Sequence, residues 1–343
     1  MSDRATAKLP VPGFFERQKV GQIWRVPYQQ RASEAKQWAK KYQIQSANRD
    51  KNKVGLLLID VQNTFCIPDF ELFVNGAVED NIRLCEFIYR NLNWISEIIP
   101  TLDTHKTLAI FHPIFWSNGA GENPEPNTII SLEDVKNGKW QVNPEIAFHL
   151  KGWNYDRLQN YALFYVEKLA KDGKYPLTVW PYHSMLGGIG HALVSAVEEA
   201  IFFHNIARNA PIQFEIKGDN PLTENYSVLR SEILTDRKGN KIGSKNINLI
   251  EKLLNFDAII IAGQAKSHCV AWTIADLLTE IKIKEPKLTE KIYLLADCTS
   301  PVVVPGVIDF TLEADRAYEN FARSGMNLVK STESIATWLN ICE

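Results

Sequence analysis

Short apolar runs recur along the chain from Lys53 onward, "VGLLLID", "FEIKG", "DAIIIAG" and "KIYLLAD", and each stops at an acidic, basic or glycine position. A strand with one wet face alternates in polarity, whereas a run that stays apolar belongs to a strand covered on both faces, as inside a parallel sheet. Between the runs lie stretches with helical spacing: "VEDNIRLCEFIYRNLNWISEI", "GHALVSAVEEAIFFHNIAR", "NINLIEKLLN", "HCVAWTIADLLTEI" and "DFTLEADRAYENFARSG". This alternation predicts an α/β fold, a doubly wound sheet with helices on both faces. One strand is ambiguous, because "EIIPTLD" and "KTLAIFH" both fit and Pro100 counts against the first.

Residues 1–50 are polar, broken by Pro10, Pro12 and Pro27, with a short helix expected around "RASEAKQWAKKYQ". They read as an N-terminal arm on a domain spanning 51–343. Residues 117–176 open rich in Asn, Gly and Pro and contain one amphipathic patch, "YDRLQNYALFYVEKLA", which reads as an insertion or lid.

The formal net charge of −2, with no long Lys/Arg cluster, argues against nucleic acid as a partner. No apolar run approaches the ~20 residues that cross a bilayer. The first residues lack an apolar signal core, so a cytoplasmic location is expected and no membrane partner. The 5 cysteines contain no CxxC pair, which suggests neither a disulfide framework nor a thiolate zinc site. A small-molecule ligand is what remains.

Ligands of an open α/β sheet bind outside the carboxyl ends of its strands, so the residues that close each run are the candidates. "VGLLLID" closes on Asp60, "FEIKG" on Lys217, and "DAIIIAG" leads within a few residues to Cys269 at a helix start. Together they suit acyl transfer: Cys269 as nucleophile, Asp60 as the base that takes its proton, and Lys217 as the cation between the two. The helix start offers N–H donors for an oxyanion and a dipole that favours a thiolate. Taken singly, each residue has an ordinary reading: a capping aspartate, a solvated lysine, a packed thiol. His268 adjoins Cys269, but neighbours on a helix point about 100° apart, which disfavours a Cys–His dyad.

A second group lies around the insertion. "LDTH" supplies Asp103 and His105, "IFHP" supplies His112, and "VWPYHS" supplies His183. Imidazoles with one carboxylate suit Zn²⁺, Fe²⁺ or Mn²⁺.

These residues, in this order, resemble the isochorismatase-like cysteine hydrolase superfamily and, within it, the nicotinamidase branch. "LLLIDVQNTFC", "FEIKGDN…ENYSVL" and "AGQAKSHCVAWTIADLL" are similar to its aspartate, lysine and nucleophile motifs. The resemblance implies a mainly parallel six-stranded sheet with Asp60, Lys217 and Cys269 as the catalytic set. It also implies a cis Gln264–Ala265 bond, with the N–H groups of Ala265 and Cys269 as oxyanion donors. Phe65, Trp180 and Gln264 are implied as substrate contacts, and Asp103, His105 and His183 as metal ligands, with His112 as a fourth. "EIIPTLD" then becomes the strand. A homo-oligomer is implied as well.

Three positions depart from the branch: Ser184, Ser267 and "GGIG" stand where Cys, Asp and "GTPG" are usual. The expected activity is thioester hydrolysis of a small amide, nicotinamide first, at a divalent metal, zinc first. Two alternatives stay open. One is a hydrolase of the same superfamily acting on a carbamoyl amine, a ureide or an isochorismate-like vinyl ether. The other is a non-catalytic binding or scaffold protein that retains the fold.

Overall fold

A computed structural model of the chain describes residues 8–172, 175–210 and 212–339; Cys342 lies outside them. In chain order the sheet strands are β1 (Val54–Ile59), β2 (Glu97–Asp103), β3 (Glu215–Lys217), β4 (Ala258–Gly263), β5 (Ile292–Leu295) and β6 (Asn327–Val329). The main helices are α1 (Tyr28–Tyr42), α2 (Ala77–Arg90), α3 (Tyr155–Lys171), α4 (Ser195–Arg208), α5 (Ile247–Leu254), α6 (Ala271–Lys284) and α7 (Thr311–Arg323).

The strand order is β6-β5-β4-β1-β2-β3, and every pairing is parallel. From β1 the chain steps outward through β2 and β3, then returns to the other side of β1 and steps outward again. The order therefore reverses between β1 and β4, and a crevice opens above their carboxyl ends.

All six residues of β1 and all six of β4 are buried. Alternate side chains enter two separate cores: Leu57, Ile59, Ile259 and Ile261 pack with α3, α5, α6 and α7, while Leu56, Leu58 and Ile260 pack with α2 and α4. Burial on both faces is why these strands read as unbroken apolar runs.

"EIIPTLD" is the second strand, as the resemblance implied, and Pro100 pairs in register with Leu58. On the side of β3 the pairing is interrupted at the proline, with an isolated bridge from Ile98 to Ile212 before it and the ladder from Thr101 after it, so the missing N–H falls in the gap. The helical spacing predicted to run into "WISEI" ends earlier, at Arg90. The Asn91 side chain donates to the Phe87 carbonyl (2.8 Å) and closes the last turn there.

The arm packs on the domain through α1, whose Arg31 meets Glu199 of α4 in a buried ion pair at 2.7 Å. Residues 116–178 contain α3 and two short antiparallel pairings, Trp116–Ser117 with Gln141–Val142 and Ile129–Ile130 with Leu177–Thr178. No helix among the described residues is long and apolar enough to cross a membrane.

Candidate active site

Asp60 follows β1 directly and bends out of it, with φ at +46°. The Thr101 hydroxyl of neighbouring β2 clamps it, accepting from the Asp60 N–H (3.0 Å) and donating to Oδ1 (2.5 Å). Asp103 and Lys217 close β2 and β3 as register partners, which puts the ammonium against the carboxylate, Nζ to Oδ1 at 2.8 Å. Lys217 Nζ also lies 3.0 Å from Asp60 Oδ2 and donates to the Asn225 carbonyl at 2.9 Å.

β4 ends on Gly263 (φ +122°), where a Cβ would stand 2.0 Å from the Ile59 carbonyl oxygen, so only glycine lets the two strand ends approach. The Gln264–Ala265 bond is cis, and a π-helical turn, Lys266–Val270, carries Cys269 into the start of α6. The Cys269 sulfur lies 3.6 Å from Lys217 Nζ. An acid, an amine and a thiol from three strand ends thus meet at the switch point.

The charges are set by burial. Burial works against the Lys217 cation, but Asp103, Asp60 and Cys269 outweigh it and hold the ammonium well above its ordinary value. Burial raises Asp60, an effect opposed by Lys217 and reinforced by Asp103. Burial also pushes the Cys269 thiol well up; Lys217 opposes this while Asp60 and Asp103 add to it. The sequence had suggested a thiolate stabilised by a helix start. In the structure the helix start is joined by enclosure, which raises the thiol, and by Lys217, which lowers it, with the two carboxylates adding to the rise. Asp60 Oδ1 is taken by Thr101, while Oδ2 accepts no hydrogen bond beyond its ion pair and is the oxygen open to a thiol proton.

Asp103, His105 and His183 bring one ligand atom each to within 4.8 Å of one another. His105 Nε2 is 2.8 Å and His183 Nε2 3.5 Å from Asp103 Oδ2. Each imidazole turns its Nδ1 to a backbone carbonyl, His105 to Gly218 (2.9 Å) and His183 to Pro181 (2.8 Å). That outer bonding leaves both Nε2 atoms facing the carboxylate, the orientation a bound divalent metal requires. Gly218 (φ +86°) seals the cluster, since a Cβ there would lie 2.6 Å from the His105 ring and 2.7 Å from Asp103 Oδ1. His112 lies beside this tight group, and its Nε2 is buried without a hydrogen-bond partner. Its ring sits 5.7 Å from that of His105 and 5.9 Å from that of His183, and its Nδ1 is turned to the Thr107 carbonyl at 3.1 Å.

A cleft of about 170 Å³ opens above these groups; Phe65, Trp180, Ala265 and Cys269 line it, together with Asp103, His105 and His183. Gln264, expected as a substrate contact, is not among the lining residues. Its amide donates to Asp80 Oδ2 (2.9 Å) and accepts from the Ser300 N–H (3.2 Å), so it braces the turn from behind. His268 lines the cleft and forms no dyad with Cys269; its Nδ1 meets the Ser267 hydroxyl at 2.8 Å, and burial brings its pKa down to about 3.

Several residues passed unnoticed in the sequence. Tyr175, from the insertion, donates to the Ser267 carbonyl (3.0 Å) and steadies the nucleophile turn. Glu224 and Tyr226 line the cleft beside Trp180, whose indole N–H donates to Glu224 Oε1 at 2.9 Å. Their loop follows the "FEIKG" run, and its proximity to Lys217 was the only signal available.

No family model matches the chain, and no curated protein matches it by sequence. Solved structures do match. The yeast nicotinamidase bound to the inhibitor nicotinaldehyde aligns with a TM-score of 0.50 at 17% identity, over 81% of this chain and 99% of that one. A nicotinamidase/pyrazinamidase of Acinetobacter baumanii gives 0.49 at 16% identity, over 83% and 99%. The N-carbamoylsarcosine amidase of Thermoplasma acidophilum gives 0.39 at 14%, over 82% and 98%. At these identities the likeness is one of fold, and the chain has the isochorismatase-like fold.

Proposed function

We propose that this chain is a cysteine amidohydrolase that converts a small amide to its acid and ammonia, with nicotinamide as the first candidate substrate. One observation carries the reading: Asp60, Lys217 and Cys269, from three separate strand ends, meet under a cleft with Lys217 Nζ within 3.6 Å of the sulfur. The fold shared with the yeast nicotinamidase supports the choice of substrate.

In this reading Cys269 Sγ attacks the amide carbonyl carbon as its proton passes to Asp60 Oδ2. The oxyanion faces the N–H groups of Ala265 and Cys269. Asp60 then protonates the departing nitrogen, ammonia leaves, and a thioester to Cys269 remains. Water attacks that thioester while giving a proton to Asp60, and the thiol is regenerated with release of the carboxylic acid. Lys217 keeps its proton throughout and bridges Asp60 and Asp103. Phe65 and Trp180 flank the substrate ring as apolar walls.

The donor set of one carboxylate and two imidazoles fits a divalent ion, zinc first and iron or manganese next. When bound by Asp103, His105 and His183, such an ion would supply Lewis-acid anchoring for a ring nitrogen. The test is chromatographic detection of nicotinic acid from nicotinamide, repeated after chelation and after restoring each metal. Formation that stops on chelation and returns with one metal supports the reading. No acid formed from any small amide under any metal would remove it.

A further inference from the structure

Ala265 lines the cleft, and its N–H makes no hydrogen bond among the described residues. Its carbonyl, by contrast, is taken by the His268 and Val270 N–H groups at 3.0 and 3.2 Å. Both neighbours of Ala265 are tied to one point, Ser300, whose N–H donates to Gln264 Oε1 (3.2 Å) and whose carbonyl accepts from the Lys266 N–H (2.8 Å). The direction of the free N–H therefore depends on how firmly Gln264 is held.

Asp80 holds it. This residue is buried in the first turn of α2, with Oδ2 accepting from the Gln264 amide (2.9 Å) and Oδ1 paired with Arg83 Nη2 (2.7 Å). Arg83 also donates through Nε to the Asp297 carbonyl, which anchors the pair to the loop that carries Ser300. Gly76 (φ +96°) leaves room for that loop, since a Cβ there would stand 2.6 Å from Ser300 Oγ. A side-chain amide has one accepting end and one donating end. The Ser300 N–H can only donate and a carboxylate can only accept, so a single orientation of Gln264 satisfies both. Burial raises the Asp80 carboxyl, an effect opposed by Ser300, Gln264 and Arg83; both oxygens face donors, which keeps the group ionised.

Resting on the amidohydrolase reading, we propose that Asp80 is a positioning residue for the oxyanion donors: through Gln264 it sets the direction of the Ala265 N–H. Asp80 does not line the cleft and touches no reacting atom. An oxyanion donor acts on the tetrahedral intermediate more than on the bound amide. Loss of the Asp80–Gln264 link should therefore slow turnover while substrate affinity and the reactivity of the thiol are retained.

The experiment measures kcat and KM for nicotinamide on the metal-loaded parent, Asp80→Asn, Gln264→Met and the double variant. Beside it runs the rate at which iodoacetamide alkylates Cys269, a displacement at carbon that creates no oxyanion. In Asp80→Asn the amide oxygen turns to Arg83, which sets an NH₂ group against that of Gln264. Gln264→Met breaks the same link and leaves the Asp80–Arg83 pair in place, so it decides the matter alone if Asp80→Asn does not fold. Each single variant is expected to lower kcat roughly 10–100-fold, as a displaced donor does, with KM and the alkylation rate within about twofold of the parent. The double variant should be no slower than the slower single one, because the two residues act as a unit. An unchanged kcat in Gln264→Met overturns the proposal. So does a rise in KM in place of the fall in kcat, alkylation that slows in step with kcat, or additive loss in the double variant. A parent that forms no acid from any small amide removes the hydrolase reading and this proposal with it, whereas an active parent with unaffected variants removes the proposal alone.

Discussion

The ammonium of Lys217 stands 3.6 Å from the sulfur of Cys269, a residue 52 positions further along the chain. The contact exists because β3 and β4 deliver their carboxyl ends to one rim, while Asp60 and Asp103 fill the space between with negative charge. Lys217 is the one cation facing two buried carboxylates, and removing it touches stability and chemistry together. Lys217→Met should destabilise the fold by about 3–5 kcal/mol, the usual cost of leaving buried charge uncompensated. Denaturant unfolding reads that loss. A variant as stable as the parent would mean the carboxylates are relieved in some other way.

Asp60 has two effects of opposite sign on Cys269. As the base it should be needed for turnover, and Asp60→Asn should lower ammonia release by roughly 10²–10⁴. As a neighbouring anion it raises the thiol pKa. Replacing it with a neutral amide removes that repulsion, so Cys269 should alkylate at a lower pH in Asp60→Asn than in the parent. The rate of iodoacetamide reaction against pH gives the answer, and a profile that stays put or moves upward would contradict this account.

Gly218 is the position at which the metal-type cluster is most easily broken without touching a ligand. A methyl group there meets both Asp103 and His105, on a backbone (φ +86°) that side chains rarely adopt. Gly218→Ala should weaken metal binding by roughly 10–100-fold, as changes around a ligand shell typically do. Competition with a chelating dye measures this, and unaltered affinity would argue that the cluster holds no ion.

Far from the site, Arg208 of α4 ties the arm to the domain. Its guanidinium is buried and pairs with Asp50, the Gln45 carbonyl and the Ile95 carbonyl. Arg208→Ala should cost about 3–5 kcal/mol, because Asp50 loses this ion-pair partner and the carbonyls lose donors. Limited proteolysis should then cut within the first 50 residues sooner than in the parent; cleavage at an unchanged rate would show that the arm is held by its apolar contacts alone.

The catalytic rim was legible because doubly covered strands must be apolar throughout, and parallel strands all end on the same side. Asp60 and Cys269 therefore announced themselves as the polar residues past such runs, whereas Lys217 closes an edge strand whose Ile216 is exposed and was found from the common end of the strands alone. β6 went unread because three residues, "NLV", carry no periodicity, and its identity as a strand comes from pairing with β5. Glu224, Tyr175 and Gly218 were invisible for a related reason: their roles depend on where loops are carried by tertiary contacts. Gln264 shows the converse error. Its place in a motif suggested a ligand contact, but the turn directs its amide to Asp80 and Ser300. The helix start at the thiol is visible in sequence, whereas its enclosure beside Lys217 and two carboxylates is not.

The central claim is that Cys269 performs the chemistry of this rim. The most direct measurement is steady-state ammonia release from a panel of small uncharged amides by the metal-loaded parent and by Cys269→Ala. Release by the parent, abolished in the variant while folding and metal content are retained, is the predicted result. Equal release by both proteins would contradict it.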